Sequence, residues 1–247
     1  MIKVLSTTVG ETGADFLAFD LGYGMPKIAL AMSALMALLL FIQFSKLKRY
    51  LPVNYWSIVI LMSIVGTLIT DILVDSLGVT LVTLSTVFTI TMITGFIVWY
   101  INEKTLSIHS IDTAEREMYY WIIILLAFAL GTGVGDLISE GLSLGYGVAL
   151  LLFTGAIAIV AFGFYALKMN GVLSFWIAFI LTRPLGASLG DFLTKSATEG
   201  GLGLGMTTVN AVFFFIIAGL VAYLSMKHQQ TASTEKRNRL STPAAGA

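Results

Sequence analysis

Acids that recur at matched positions within apolar sequence are the groups of this chain best placed to do chemistry. Three stretches share one frame of a Trp, nine residues, a Gly, four residues and an Asp: Trp56–Gly66–Asp71, Trp121–Gly131–Asp136 and Trp176–Gly186–Asp191. A fourth copy, Gly10–Asp15, keeps the register, and its Trp would fall one residue ahead of Met1. Each Asp lies in or at the edge of a stretch long enough to cross a bilayer. A carboxylate there is costly, and by default it marks a functional site, with cation binding as the chemistry it suits.

Helical spacing gathers further charge around the frame. Asp75 is four residues beyond Asp71 and Glu140 four beyond Asp136, so each pair shares a helix face. Glu11 lies four before Asp15, and Lys195 four after Asp191. Neighbouring carboxylates in low dielectric cannot both stay charged without a cation. At least one framed Asp is therefore expected to be protonated at neutral pH when no cation is bound, Asp71 and Asp136 first. Arg183-Pro184 has no counterpart in the other copies. Near mid-membrane Arg183 needs a carboxylate, a carbonyl or water beside it, and Pro184 frees a backbone carbonyl and can kink its helix. The candidate ion-binding set is Asp15, Asp71, Asp136 and Asp191, helped by Glu11, Asp75 and Glu140, with Arg183 as internal counter-charge. The competing structural reading has the framed acids capping helices or bridging neighbouring units, while Asp20, Glu199, Asp75 and Glu140 are solvated loop residues or helix-end anchors.

Other chemistries are excluded. The chain has no cysteine, so disulfides and thiolate ligands are absent. His109 and His228 fall outside the apolar stretches, which leaves no histidine metal site or nucleophile–base pair within them. The glycines of 200–205 lack a following Lys-Ser/Thr and cradle no nucleotide. No cofactor, enzymatic activity or nucleic-acid partner is expected.

The elements that must hold these acids are membrane helices. Of 247 residues, 57% are hydrophobic and 11% charged, with mean hydropathy +0.91. Soluble domains carry roughly 25% charged residues. The framed Asp residues are separated by 56, 65 and 55 residues, room for two helices per unit, A and B. Expected spans are A at 1–17, 53–74, 118–139 and 172–194, and B at 26–45, 80–101, 147–168 and 206–226. The repeats run about 1–46, 52–102, 117–168 and 172–226, forming one transmembrane domain over 1–226, followed by a disordered basic tail over 227–247. Shared turns support the alignment: Leu21-Gly22-Tyr23-Gly24, Leu77-Gly78-Val79-Thr80, Leu144-Gly145-Tyr146-Gly147 and Leu202-Gly203-Leu204-Gly205. On that alignment the first turn Gly follows the Asp by 7, 7, 9 and 12 residues.

The small residues Gly10/Ala14, Gly66/Thr70, Gly131/Gly135 and Gly186/Gly190 let helices approach closely. The aromatic clusters Tyr55-Trp56, Tyr119-Tyr120-Trp121 and Phe175-Trp176 read as an interfacial belt. The seven hydroxyls of the second B helix could line a polar path or bond to their own backbone. Lys and Arg concentrate in the B-to-A loops and the tail (Lys46, Lys48, Arg49, Lys104, Arg116, Lys168, Lys227, Lys236, Arg237 and Arg239). That bias puts both termini in the cytoplasm. All four units then run in one direction, as parallel two-helix repeats with pseudo-symmetry about the membrane normal. Apart from the lipid bilayer, the expected partner is a cation or small cationic solute; oligomerisation is left open.

The segments TTVGETGADF, VGTLITD, EKTLSIHSI, LTRPLGASLGD and GGLGLG, in order over essentially residues 3–226, resemble a bacterial family of uncharacterised multi-pass membrane proteins built from four copies of a membrane repeat of unknown function. The resemblance implies a bacterial cytoplasmic (inner) membrane location. In that family an aromatic stretch ending in Trp precedes a segment like Ile2-Lys3-Val4-Leu5, which predicts a natural start upstream of Met1. The function expected is a channel or secondary transporter with an acidic intramembrane site. The alternative is a non-transporting scaffold or sensor whose acids are structural.

Overall fold

The computed structural model describes residues 1–47 and 50–241. Lys48 and Arg49, the side chains of Glu199 and of residues 232–241, and residues 242–247 lie outside the described residues, and the loop and tail charges expected there lie outside with them.

Eight α-helices carry the fold: α1 (Ile2–Asp15), α2 (Met25–Ile42), α3 (Pro52–Asp71), α4 (Leu81–Glu103), α5 (Ala114–Asp136), α6 (Tyr146–Tyr165), α7 (Gly171–Thr194) and α8 (Met206–Ser241). Their starts are set by local chemistry. Pro52 opens α3, where a missing N–H costs nothing. Thr80, Thr113 and Asn170 cap α4, α5 and α7 by accepting backbone N–H groups of the first turn. Helix α8 runs on past residue 227, where the sequence reading begins the tail. No Gly or Pro interrupts it between Ala222 and Ser241.

Among the described residues, seven helices are long and apolar enough to cross a membrane. Helix α1 is the exception. It is short and polar, and every residue from Ser6 to Ala14 is buried. Neighbouring helices enclose it, so its length is not bound by the ~30 Å hydrocarbon thickness that lipid-facing helices must match.

The odd-numbered helices form an inner ring in chain order: α1 packs on α3, α3 on α5, α5 on α7 and α7 back on α1. The even-numbered helices lie outside, each against the inner helix of the following repeat: α2 on α3, α4 on α5, α6 on α7 and α8 on α1. Their outward faces are apolar, with Leu30 75%, Leu151 72%, Ile159 73% and Phe215 74% exposed. Apolar surface of that extent needs lipid or a partner against it.

One contact, repeated four times, sets the ring. A methyl group on Gly10 would meet Ser63, on Gly66 Phe128, on Gly131 Arg183, and on Gly186 Thr7. In every case the framed Gly abuts the residue three before the framed Gly of the next repeat. The absent side chain lets the backbones approach, as the small-residue pattern predicts.

The turns depart from the sequence alignment. In repeats one to three the framed Asp ends the α-helix, and a five-residue π segment follows: Phe16–Asp20, Ile72–Ser76 and Leu137–Gly141. The chain then passes through a left-handed residue, which is Gly22 (φ 69), Gly78 (φ 70) and Ser143 (φ 54). Gly24, Thr80 and Gly145 cap the next helix. Leu144-Gly145-Tyr146-Gly147 is thus two residues out of register with Leu21-Gly22-Tyr23-Gly24, and Ser143 takes the glycine's place. Asp and turn residue are 7 apart in all three repeats. Repeat four has an insertion here, with a 3-10 turn at Ala197–Glu199 before Gly203 (φ 68).

The aromatic clusters are not a lipid-facing belt. Tyr120, Trp121 and Trp176 are buried in the main apolar core, and Tyr55 and Trp56 pack against it. They close one end of the inner ring, with the Trp176 indole N–H donating to the Leu106 carbonyl at 2.8 Å. Of the hydroxyls of α4, Thr86, Thr91 and Thr94 bond to the carbonyls of Val82, Val87 and Ile90 on their own helix.

Candidate functional site

The centre of the inner ring is polar because the residue after each framed Gly points into it. Those residues are Glu11, Thr67, Thr132 and Ala187, and all four are buried. Arg183 enters from α7, fully shielded from solvent. Its Nη2 donates to Glu11 Oε2 at 2.6 Å, to Thr132 Oγ1 at 2.6 Å and to Thr67 Oγ1. Its Nη1 donates to the Thr7 carbonyl at 3.0 Å, so one guanidinium bonds to helices α1, α3 and α5 and thereby to all three other repeats. The carboxylate and the carbonyl that a buried Arg requires are both present. Nε is buried without a hydrogen-bond partner among the described residues.

The framed Asp residues lie one turn beyond this layer, each four residues after Glu11, Thr67, Thr132 or Ala187. That spacing keeps them on the same helix face, about 6 Å further along. Asp191 is 5% exposed, while Asp15, Asp71 and Asp136 are half-buried. Carboxylate oxygens of Glu11, Asp136 and Asp191, from three different repeats, all lie within 4.8 Å of one another. Asp71 is within charge–charge range of Glu11 and Asp15, and Asp136 of Glu11, Asp191 and Asp71. The arrangement is a set of oxygen donors facing one small volume, suited to a hard cation.

Two lysines bound the acids. Lys195 follows α7 and lies 3.6 Å from Asp15, not on its own helix neighbour Asp191. Burial pulls its pKa down, but Asp15 and Asp191 outweigh that and hold it above the ordinary lysine value. Lys3 is on the other side of Arg183, its ammonium donating to the Phe179 carbonyl and to Thr182 and facing the ring of Phe128, 5.5 Å from the centroid.

Not all of the sequence-predicted set converges. Glu11, Asp15, Asp71, Asp136, Asp191 and Arg183 do. Asp75 and Glu140 are exposed, though Asp75 stays within charge–charge range of Asp71 and Glu140 of Asp136, and the Tyr146 hydroxyl donates to Glu140 at 2.8 Å. The physical reason is the π segment after each Asp: with bonds closing over five residues, the residue four ahead no longer stacks on the Asp. Asp20 is exposed, as expected of a solvated acid. The sequence reading missed Lys3, Thr67 and Thr132. The two threonines had a signal, since a polar residue directly follows the framed Gly in three of four copies. Asn210 was missed as well. It exchanges hydrogen bonds with Thr12 at 2.7 and 3.0 Å, tying α8 to α1.

No curated protein and no solved structure matches the chain. A family model, described as a Repeat of Unknown Function (DUF347), matches four times, over residues 1–48, 54–105, 119–170 and 174–230. Those matches cover most of the chain, and the four-copy organisation read from the framed acids is that of this repeat. The protein belongs to the DUF347 repeat family.

Proposed function

We propose that the protein is a secondary transporter for a cation or small cationic solute in the bacterial cytoplasmic membrane. In this reading the repeats are parallel about the membrane normal, and both termini are cytoplasmic. The observation that carries it is the meeting of Glu11, Asp136 and Asp191 within 4.8 Å. Carboxylates crowded in a membrane interior repel one another unless a cation or a proton is shared among them. Carrier is favoured over open channel because Arg183 fills the ring centre and the backbones touch at every framed Gly. Movement of the repeats about that constriction would expose the acids to alternate sides.

Uptake into proteoliposomes, across a panel of alkali, alkaline-earth and substituted ammonium ions, tests it. Asp136→Asn and Asp191→Asn each keep the side-chain size and are expected to cut flux at least tenfold while melting within a few degrees of the parent. A second reading, a scaffold or sensor, is favoured by the bonds from Arg183 to three other repeats. No flux for any ion, together with Asn variants that fail to fold, would establish the scaffold and sink the transporter.

A further inference from the structure

Away from the acids, at the end of the inner ring closed by aromatic residues, a cavity of about 760 Å³ opens between the first turns of α3 and α5 and the connections that precede them. Its volume falls within the ~300–1,000 Å³ of small-molecule sites. The rings of Tyr50, Tyr55, Trp56, Tyr120 and Trp121 line it. They are held in fixed relation: Tyr55 lies 5.4 Å from Tyr50, 5.2 Å from Trp56 and 5.5 Å from Trp121, centroid to centroid. A hydrogen bond of 2.5 Å joins the Tyr55 and Tyr120 hydroxyls.

Two carboxylates complete the wall, and among the described residues no Lys, Arg or His does. Asp112 is paired with Arg116 at 2.9 Å, and Arg116 is also held by Glu103 at 2.6 Å. Glu117 accepts only the Trp121 indole N–H, at 3.3 Å, and forms no ion pair among the described residues. The His228 ring meets the Tyr50 ring edge-on at 5.9 Å. A carboxylate with no ion pair among the described residues, beside a cavity lined by five aromatic rings, attracts a weakly hydrated cation with an apolar shell. A small inorganic ion gains much less there, because rings cannot replace its water oxygens.

We infer that this cavity is a binding site for a substituted ammonium group, with the aromatic rings enclosing its alkyl shell and Glu117 supplying the counter-charge. The group could belong to a free solute or to a lipid head group. The inference does not rest on transport, since it concerns equilibrium binding at a site separate from the framed acids.

Calorimetric titration of the full chain in nanodiscs of phosphatidylglycerol tests it, with choline as the probe and 3,3-dimethylbutan-1-ol as its uncharged isostere. Choline should bind saturably and at least tenfold more tightly than the alcohol. Glu117→Gln and Tyr50→Ala, both outside the packed core, should each weaken it several-fold, while Gly155→Ala on the open face of α6 leaves it unchanged. Nanodiscs that contain phosphatidylcholine separate the sources: affinity reduced about tenfold marks competition by the head group, and unchanged affinity marks a free solute. Absent saturable binding, equal binding of the alcohol, or full affinity in Glu117→Gln would each overturn the inference.

Discussion

Arg183 and Glu11 illustrate how a single side chain organises a pseudo-repeating site. The position three before the framed Gly holds Thr7, Ser63 and Phe128 in the other repeats, and only repeat four has a cation there. Its ion pair with Glu11 is buried on both sides. Removing one partner of such a pair strands the other charge, at about 3–5 kcal/mol. Glu11→Leu should therefore lower unfolding stability by about that much, and combining it with Arg183→Met should restore most of the loss. Denaturant unfolding in detergent measures both, and a double variant no more stable than Glu11→Leu would show that the pair does not act as a unit. Much of this centre was legible in sequence: the framed acids, Glu11 and Arg183 stand out because charge in apolar sequence is rare. Lys3 did not stand out, because a lysine near a chain end reads as a solvated anchor. Only the fold brings it to Phe128 and Phe179.

At the scale of the helices, the framed glycines and the turns decide the geometry. A methyl on Gly66 would lie 2.9 Å from Phe128 Cβ and 3.0 Å from the Ala129 backbone nitrogen, and backbone cannot step aside cheaply. Gly66→Ala is expected to cost about 1–3 kcal/mol as overpacking. Gly155→Ala in α6, with nothing within 4 Å, should gain about 0.5–1 kcal/mol from helix propensity. Melting of the two variants checks the pair, and equal effects would remove the packing role of the frame. Ser143 pays for its left-handed conformation, φ 54, where Gly22 and Gly78 do not. Ser143→Gly should raise stability by about 1 kcal/mol, read from the same melts, and an unchanged or lower melting point would deny strain at that turn. Helix existence, order and approximate ends were readable from apolar run length and the recurrence of the frame. The turn of repeat three was not, because the recurrence of Leu-Gly-Tyr-Gly outweighed a spacing that only backbone torsions reveal. The aromatic clusters misled for a related reason: an aromatic near a helix end looks the same in sequence whether it faces lipid or plugs the bundle.

Across the whole molecule, the arrangement that sequence could not disclose is the hand-over of each outer helix to the following repeat. Periodicity assigns α1 and α2 to one unit but carries no information on which helix α2 touches. The seam between repeat four and repeat one is made like the other three, with α8 on α1 and Thr12 bonded to Asn210. The absence of native cysteine makes this directly measurable. With Thr12→Cys and Asn210→Cys combined, a short thiol crosslinker should join α1 to α8 within one chain, so that fragments cleaved in the 104–113 connection migrate together on a denaturing gel. Fragments that separate would break the ring.

Because the seam is an ordinary interface, the order in which the peptide links the repeats is a matter of history and not of mechanics. The connection between Tyr165 and Gly171 could be cut and α8 joined to α1. The resulting circular permutant would carry α7 first and α6 last, yet pass through the same inner ring and close on the same contacts. The acids would meet as before, since each is placed by neighbours in space and none by its distance from a chain end.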